Sequence, residues 1–136
     1  MKKIPITLLI TLWSTLFTSA ATAQNQPLAC QGEAAAGLKW ENGKWVTRTF
    51  NEKKFILVQT ENTLTTDSVA KALNSPISQV TCRDTKPQID CTDMTGGAFY
   101  FDPRTRTGGT AQLLGSTSKG DFKDTVTVQI FSCTPF

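Results

Sequence analysis

Ala98-Phe-Tyr-Phe101 and Thr125-Val-Thr-Val-Gln-Ile-Phe-Ser-Cys133 are the two segments that decide the fold of this 136-residue chain. In the first, the two phenylalanines share one face of a strand and the tyrosine lies on the other, because successive side chains of a strand alternate. In the second, aliphatic residues alternate with polar and aromatic ones, which is the period of a half-buried antiparallel strand. The segments therefore predict antiparallel hairpins at the C-terminal end of the chain.

The clearest turn signal is Asn42-Gly43, a dipeptide that suits a two-residue type I′ hairpin because both residues tolerate a positive φ. In that register Glu41 faces Lys44 and Trp40 faces Trp45, so an ion pair lies beside an aromatic pair. A tryptophan pair either forms a platform on which a ligand stacks or packs the end of a barrel or sandwich, and packing is the more common role.

One short helix is predicted over Thr66-Asp-Ser-Val-Ala-Lys-Ala-Leu73, with Thr66 or Asp67 as its cap and Asn74 at its end. After a short polar lead, Gln31 to Gly37 consists mostly of small residues and is predicted to be flexible. About seven segments have strand length and pattern. The predicted fold is mainly β, a small antiparallel barrel or strongly curved meander sheet with one short helix and two disulfides; the alternative is a two-sheet β-sandwich.

The first 23 residues have the pattern of a signal peptide. Lys2 and Lys3 form a positive n-region, Ile4 to Phe17 is apolar, and Ala21-Thr-Ala23 fits the small-x-small cleavage rule. We expect cleavage after Ala23, which leaves residues 24–136 as a single domain in the periplasm or outside the cell. The apolar segment is too short and interrupted for a membrane span.

The chain has 14 basic and 11 acidic side chains and no histidine. Two of the basic residues lie in the predicted signal peptide, so the mature chain is close to neutral. A near-neutral domain gives no electrostatic reason to expect nucleic acid or anionic lipid as a partner.

The four cysteines predict two disulfides, because their number is even and all of them lie in the exported part. A zinc site would need CxxC or histidine spacing, which the chain lacks. Of three connectivities we favour Cys82–Cys91, placed symmetrically about the turn at Asp84 to Pro87, and with it Cys30–Cys133.

Most catalytic mechanisms lack their residues here. Without histidine the Ser-His-Asp and Cys-His arrangements are excluded, and paired cysteines leave no thiol nucleophile. The chain shows no phosphate-binding glycine loop or calcium pattern, so no cofactor is expected. The carboxylate pairs Asp90 with Asp93 and Asp121 with Asp124 have no spacing that specifies a glycosidase cleft.

A meander places alternate turns at the same end of a sheet. The turn near Lys86 and the loop that carries Arg104 and Arg106 would then lie together, with Arg83 beside them. These four residues form a predicted basic rim able to recognise a carboxylate, a phosphate or an acidic protein surface. The alternative is a solvated rim of Arg–Asp pairs with little energetic weight.

Several short motifs resemble small exported proteins of proteobacteria whose activity is uncharacterised. They are Leu38-Lys-Trp-Glu-Asn-Gly-Lys-Trp45, Lys54-Phe-Ile-Leu57, Cys82 with Cys91, and Ser132-Cys-Thr-Pro-Phe136. The resemblance implies a periplasmic or secreted location and a disulfide frame, and it carries no activity.

The function expected from these observations is that of an exported, non-enzymatic binding module that contacts another envelope or secreted protein, as an inhibitor, an immunity-type protein or an envelope accessory. The alternative is a small-ligand carrier. Its apolar barrel cavity would be lined by Trp40, Trp45, Phe55, Phe99 and Phe101. A hydrolase that uses paired carboxylates is the third hypothesis.

Overall fold

The part of the chain that the structure describes has nine strands and one α-helix, where the sequence pattern predicts about seven strands and one helix. The computed structural model describes residues 25–61, 63–85, 87–113 and 125–136. Its elements are β1 (Gln26–Glu41), β2 (Lys44–Thr49), β3 (Lys54–Thr60), β4 (Thr63–Leu64), α1 (Thr66–Leu73), a 3-10 turn (Ile77–Gln79), β5 (Val80–Thr85), β6 (Gln88–Asp93), β7 (Gly97–Asp102), β8 (Thr107–Gln112) and β9 (Thr125–Pro135). The predicted signal peptide, Lys86, Asp121 and Asp124 lie outside the described residues.

All nine of these strands belong to one antiparallel sheet, with the order β4-β3-β1-β9-β8-β7-β6-β5 and β2 paired to β1. The sheet curls into a half-barrel. Strands β5 to β9 are neighbours in sequence and in space, so this part of the sheet is a meander. The predicted fold class, a strongly curved antiparallel sheet with one helix and two disulfides, is confirmed, and the sandwich alternative does not form.

Strand β1 is the longest and runs through Gln31 to Gly37, the segment predicted to be flexible. One edge of β1 pairs with β9 along its length, and the other pairs first with β3 and then with β2. The prediction for Gln31 to Gly37 was wrong because small residues here permit close strand contact: a Cβ at Gly37 would overlap the carbonyl oxygen of Val126. A bulge between Gly32 and Ala34 shifts the register and leaves Glu33 as the extra residue.

The concave side of the sheet holds the core, and α1 packs into it against β3, β5 and β7. Phe99, Phe101 and Phe131 are buried and contact one another, with ring centroids 5.7–6.5 Å apart. The helix has the predicted bounds and ends at Asn74, which has the left-handed φ of 58°. Its cap is Thr65 rather than Thr66 or Asp67, and no side chain completes that cap.

Both predicted disulfides are present. Cys30 lies directly opposite Cys133 on the β1–β9 pair, and Cys82 lies directly opposite Cys91 on the β5–β6 pair. The Cα atoms are 4.0 Å apart in each pair. The first bridge joins residues 103 positions apart and ties the start of the described chain to its last strand.

The buried Cys30–Cys133 bridge marks the face of β9 that points into the core. Because Cys133 points into the core, alternation turns Phe131 and Gln129 inward and Ile130 and Val128 outward. The observed exposures agree: Phe131 is 1% and Gln129 6% exposed, whereas Ile130 is 52% and Val128 51% exposed. The central strand of the sheet thus presents its aliphatic side chains to solvent.

Asp93 joins the end of α1 to the β6–β7 corner. Its carboxylate accepts hydrogen bonds from Ser75 Oγ, from Thr95 N (2.8 Å) and Oγ1 (2.9 Å), and from Gly97 N (2.6 Å). Burial favours the neutral acid, but the hydrogen bonds from Ser75, Gly97 and Thr95 outweigh it and hold the pKa of Asp93 below its usual value.

Removal of the long-range disulfide should destabilise the protein more than removal of the short one. By loop entropy, Cys30→Ala/Cys133→Ala should lose about 4.7 kcal/mol and Cys82→Ala/Cys91→Ala about 2.7 kcal/mol of unfolding free energy. Urea unfolding of both variants beside the oxidised wild type measures the difference. Equal losses would show that the length of the closed loop does not set the stabilisation.

The charge of Asp93 should contribute a stability that depends on pH. A carboxylate with a lowered folded pKa stabilises above its unfolded pKa, about 3.9, and this contribution is lost as the pH falls through the folded value. Asp93→Asn should therefore lower the unfolding free energy at pH 7 by about 1–2 kcal/mol and have a smaller effect below pH ~3. The measurement is urea unfolding between pH 2 and pH 7.

The matched control is Asp67→Asn, which removes an exposed carboxylate that pairs with Lys71 in α1. An exposed pair of this kind contributes at most about 0.5 kcal/mol. If both substitutions have the same small effect at every pH, Asp93 does not hold the corner as described.

Candidate functional site

The outer face of the sheet carries an apolar surface across β7, β8, β9 and β1. Tyr100, Gly109, Ile130 and Ala34 form one row of directly opposed residues. The next row on the same face consists of Ala98, Ala111, Val128 and Ala36. We call these eight residues the outer patch.

Side-chain size is uneven within the outer patch. Val128, Ile130 and Tyr100 protrude, with 51%, 52% and 43% of their surface exposed. Their neighbours are alanine or glycine, so the rest of the patch is flat. Sequence reasoning found the alternation in β9 but did not assign its outer face; the position of Cys133 in the same strand was the signal that assigns it.

A shallow groove of about 530 Å³ crosses the outer patch, with Tyr100 on one side and Ile130 on the other. Gly109 lies between them on β8. Because neighbouring strands are about 4.8 Å apart, the two side chains flank a gap of roughly 10 Å between their strands. A Cβ added to Gly109 would meet only ordinary contact, at 3.4 Å from the carbonyl oxygen of Gln129. The backbone at position 109 could therefore carry a side chain. The groove is open because glycine does not have one.

Polar groups lie at the edge of the groove. Glu33, at the bulge of β1, is exposed, and Asp102 and Thr105 line the end near the β7–β8 turn. Asp102 accepts hydrogen bonds from Arg104 Nη2 at 2.9 Å, from its Nε at 3.2 Å and from its backbone N at 2.9 Å. The Arg104 guanidinium, followed by its backbone N–H, lowers the pKa of Asp102 to about 2. The charge of Asp102 is therefore already balanced by Arg104.

The tryptophan pair lies beyond the outer patch, at the tip of the β1–β2 hairpin. Trp40 and Trp45 are directly opposite each other, half-buried, with ring centroids 5.3 Å apart in an edge-to-face arrangement. Alternation along β1 places Trp40 on the same face as Leu38, Ala36 and Ala34. The pair thus extends the apolar surface along β1 and does not enter the core.

The turn of this hairpin is as predicted, with φ of 51° at Asn42 and 79° at Gly43. Glu41 lies opposite Lys44, as predicted, but the predicted ion pair between them was wrong, because the Glu41 carboxylate pairs with two other cations. Glu41 Oε2 lies 2.5 Å from Arg48 Nη2 and its Oε1 lies 3.2 Å from Lys39 Nζ. The three side chains share the face opposite the tryptophans, and the hydrogen bonds of Arg48 and then Lys39 lower the pKa of Glu41.

The β5–β6 and β7–β8 turns lie at the same end of the sheet, because β6 and β7 are antiparallel neighbours. Arg83 lies opposite Asp90 in the register of β5 and β6. Arg104 is paired with Asp102, and the backbone carbonyl of Arg106 accepts a hydrogen bond from Cys133 N at 2.8 Å. Lys86 lies outside the described residues. The other three residues of the basic rim lie at the same end of the sheet, as predicted, but Arg104 is already paired with Asp102.

The five rings proposed for an apolar cavity do not come together. Phe99 and Phe101 fill the core and Phe55 packs against Phe131 with a centroid distance of 4.9 Å, whereas Trp40 and Trp45 lie on the distant hairpin. The carboxylates Asp90 and Asp93 also lie apart. Three positions separate them in β6, so their side chains occupy opposite faces of the sheet.

No family model, no curated protein and no solved structure matches this chain. Within the described residues, none of the helical segments is long and apolar enough to cross a membrane. The two disulfides indicate an oxidising environment outside the cytoplasm.

Proposed function

We propose that this chain is an exported, disulfide-braced module that binds a partner protein on the outer patch. The observation that carries the proposal is the outward position of Val128 and Ile130 on the central strand of the sheet, each about half exposed. Contiguous apolar surface of this kind, rimmed by polar residues, marks sites of protein–protein contact.

The groove supports one mode of docking. An apolar side chain of the partner fits above Gly109, between Tyr100 and Ile130, where it would lose its contact with water. Binding energy concentrates at such central apolar anchors, and the surrounding flat contacts exclude water. The small residues of the outer patch suit that surrounding role, since they permit close approach of a second surface.

The charge at the groove favours a particular partner. Glu33 is an exposed carboxylate at the edge of the groove. The carboxylate of Asp102, which also lines the groove, is already ion-paired with Arg104. A partner with a lysine or arginine next to its apolar anchor would pair with Glu33 at the rim. We therefore infer a protein partner whose contact surface is apolar at its centre and basic at its edge.

The proposed location is the periplasm or the cell exterior. Two disulfides support an oxidising compartment. The positively charged and then apolar N-terminal sequence, with its Ala21-Thr-Ala23 site, supports export through a cleaved signal peptide.

A lysine at the centre of the outer patch should abolish capture of the partner. Ile130→Lys places a charge where the anchor would dock, so the yield of a specific partner should fall at least tenfold. Ile56→Lys is the matched control, because Ile56 is the same residue type, is also 52% exposed and lies on β3, outside the outer patch. Gly109→Val, which fills the groove, should have the same effect as Ile130→Lys.

The measurement combines affinity capture from the exported-protein fraction of the source cells with site-specific photo-crosslinking from position 128. A protein that crosslinks at this position and is lost with Ile130→Lys and Gly109→Val but kept with Ile56→Lys supports the proposal. Equal capture by all variants overturns it. Loss of capture on Arg106→Glu alone, with the outer-patch variants unaffected, would assign binding to the basic rim instead. A wild-type dimer that Ile130→Lys dissociates would show that a second copy of the chain covers the outer patch.

A further inference from the structure

The concave side of the half-barrel is not apolar throughout. Beyond the phenylalanine core, β8 and β9 turn four polar side chains inward: Thr110 lies opposite Gln129, and Gln112 lies opposite Thr127. Neighbours across the two strands are about 4.8 Å apart, and residues two apart along one strand are about 6.7 Å apart. The result is a two-by-two array of amides and hydroxyls on the face where a sheet normally presents aliphatic residues.

These side chains form one wall of a cleft of about 400 Å³. Phe50, from the β2–β3 connection, and Leu73, from the end of α1, contribute apolar surface to the same cleft. Lys53 is the one charged residue among the described residues that line it, and no carboxylate is among them. A volume of this size lies within the range of small-molecule sites, which combine apolar walls with a few convergent polar groups.

Two buried atoms of the array have no hydrogen-bond partner within the described part of the chain. They are Nε2 of Gln129, a donor, and Oε1 of Gln112, an acceptor. The other end of each amide is held, since Gln129 Oε1 accepts from Lys53 N at 2.9 Å and Gln112 Nε2 donates to Thr95 Oγ1 at 3.5 Å. Gln129 is 94% buried, so an unpaired donor at this position is costly.

We propose that this cleft binds a small neutral saccharide. A ligand that serves one unpaired donor and one unpaired acceptor must itself both accept and donate, as hydroxyl groups and secondary amides do. Sugar hydroxyls also match the threonines of the array, and the C–H face of a sugar ring suits Phe50. The absence of carboxylates among the described lining residues provides no counter-charge for a cationic ligand. Both unpaired atoms are buried in this structure, so the sugar meets them only when the amides exchange their contacts with Lys53 N and Thr95 Oγ1 for contacts with the ligand.

An N-acetylated sugar fits these groups best, because its acetamido group supplies both a donor and an acceptor within one small unit. The site lies on the opposite face of the sheet from the outer patch and does not depend on the proposed protein-binding function. It also differs from the apolar cavity predicted from the aromatic residues, since its wall is made of amides and hydroxyls.

The test is a titration of the oxidised ¹⁵N-labelled protein with N-acetylglucosamine and with glucose, followed by NMR. Saturable shifts of the Gln112 and Gln129 side-chain amides, with N-acetylglucosamine binding more tightly, are expected. Thr127→Val keeps a β-branched side chain but removes one hydroxyl, and it should weaken binding about tenfold. Thr92→Val, on the exposed outer face of β6, is the matched control and should leave the affinity unchanged.

A second variant, Gln112→Met, removes the acceptor without a change in side-chain length and should also weaken binding. Ile130→Lys should leave sugar binding intact, so failure here and failure of the outer-patch proposal can be told apart. Tighter binding of a β-1,4-linked tetramer than of the monosaccharide would identify a glycan chain as the source, and equal binding a free sugar; either supports the cleft. No saturable shift with any of these sugars, or binding that Thr127→Val and Gln112→Met do not weaken, overturns the proposal.

Discussion

The disulfide between Cys30 and Cys133 determines more of this structure than its stabilising effect suggests. It joins the neighbouring strands β1 and β9, and a bridge between directly opposed residues requires both cysteines to point to the same side. Side chains alternate along a strand. The buried position of this bridge therefore tells, for each of the remaining residues of β9, whether its side chain points into the core or to solvent. Phe131 enters the core as a consequence, and Val128 and Ile130 are left outside. Both candidate sites follow from that assignment.

Sequence reasoning succeeded where the signal was local. The Asn42-Gly43 turn, the bounds of α1 and the pairing of Cys82 with Cys91 each depend on residues within a few positions of one another. The end of the sheet at which Arg104 and Arg106 lie also followed from simple meander connectivity. In these cases the competing conformations are few, and backbone preference alone separates them.

Sequence reasoning failed where the answer depends on a distant neighbour. Glu41 was assigned to Lys44 because the two are adjacent across the turn, yet Arg48 reaches it diagonally from four residues further along β2. Gln31 to Gly37 was predicted to be flexible because its residues are small, although small size is what allows β9 to approach. The alternation in β9 predicted that its side chains point to two faces, but it did not show which face is buried. Each error concerns which surface meets which, and the segment considered alone does not contain that information.

The bulge at Glu33 lies where β1 changes partner from β3 to β2, and it is shared by the two faces. The connection between those strands closes over it, with Gly32 N donating to Lys53 O at 3.0 Å and Phe50 N donating to Ala35 O at 2.9 Å. Lys53 N in turn donates to Gln129 within the cleft, while Glu33 stands at the groove outside. The bulge thus links the two faces of the sheet: Gln129 on the concave side holds Lys53 N, and Lys53 O holds Gly32, the residue before Glu33 on the convex side.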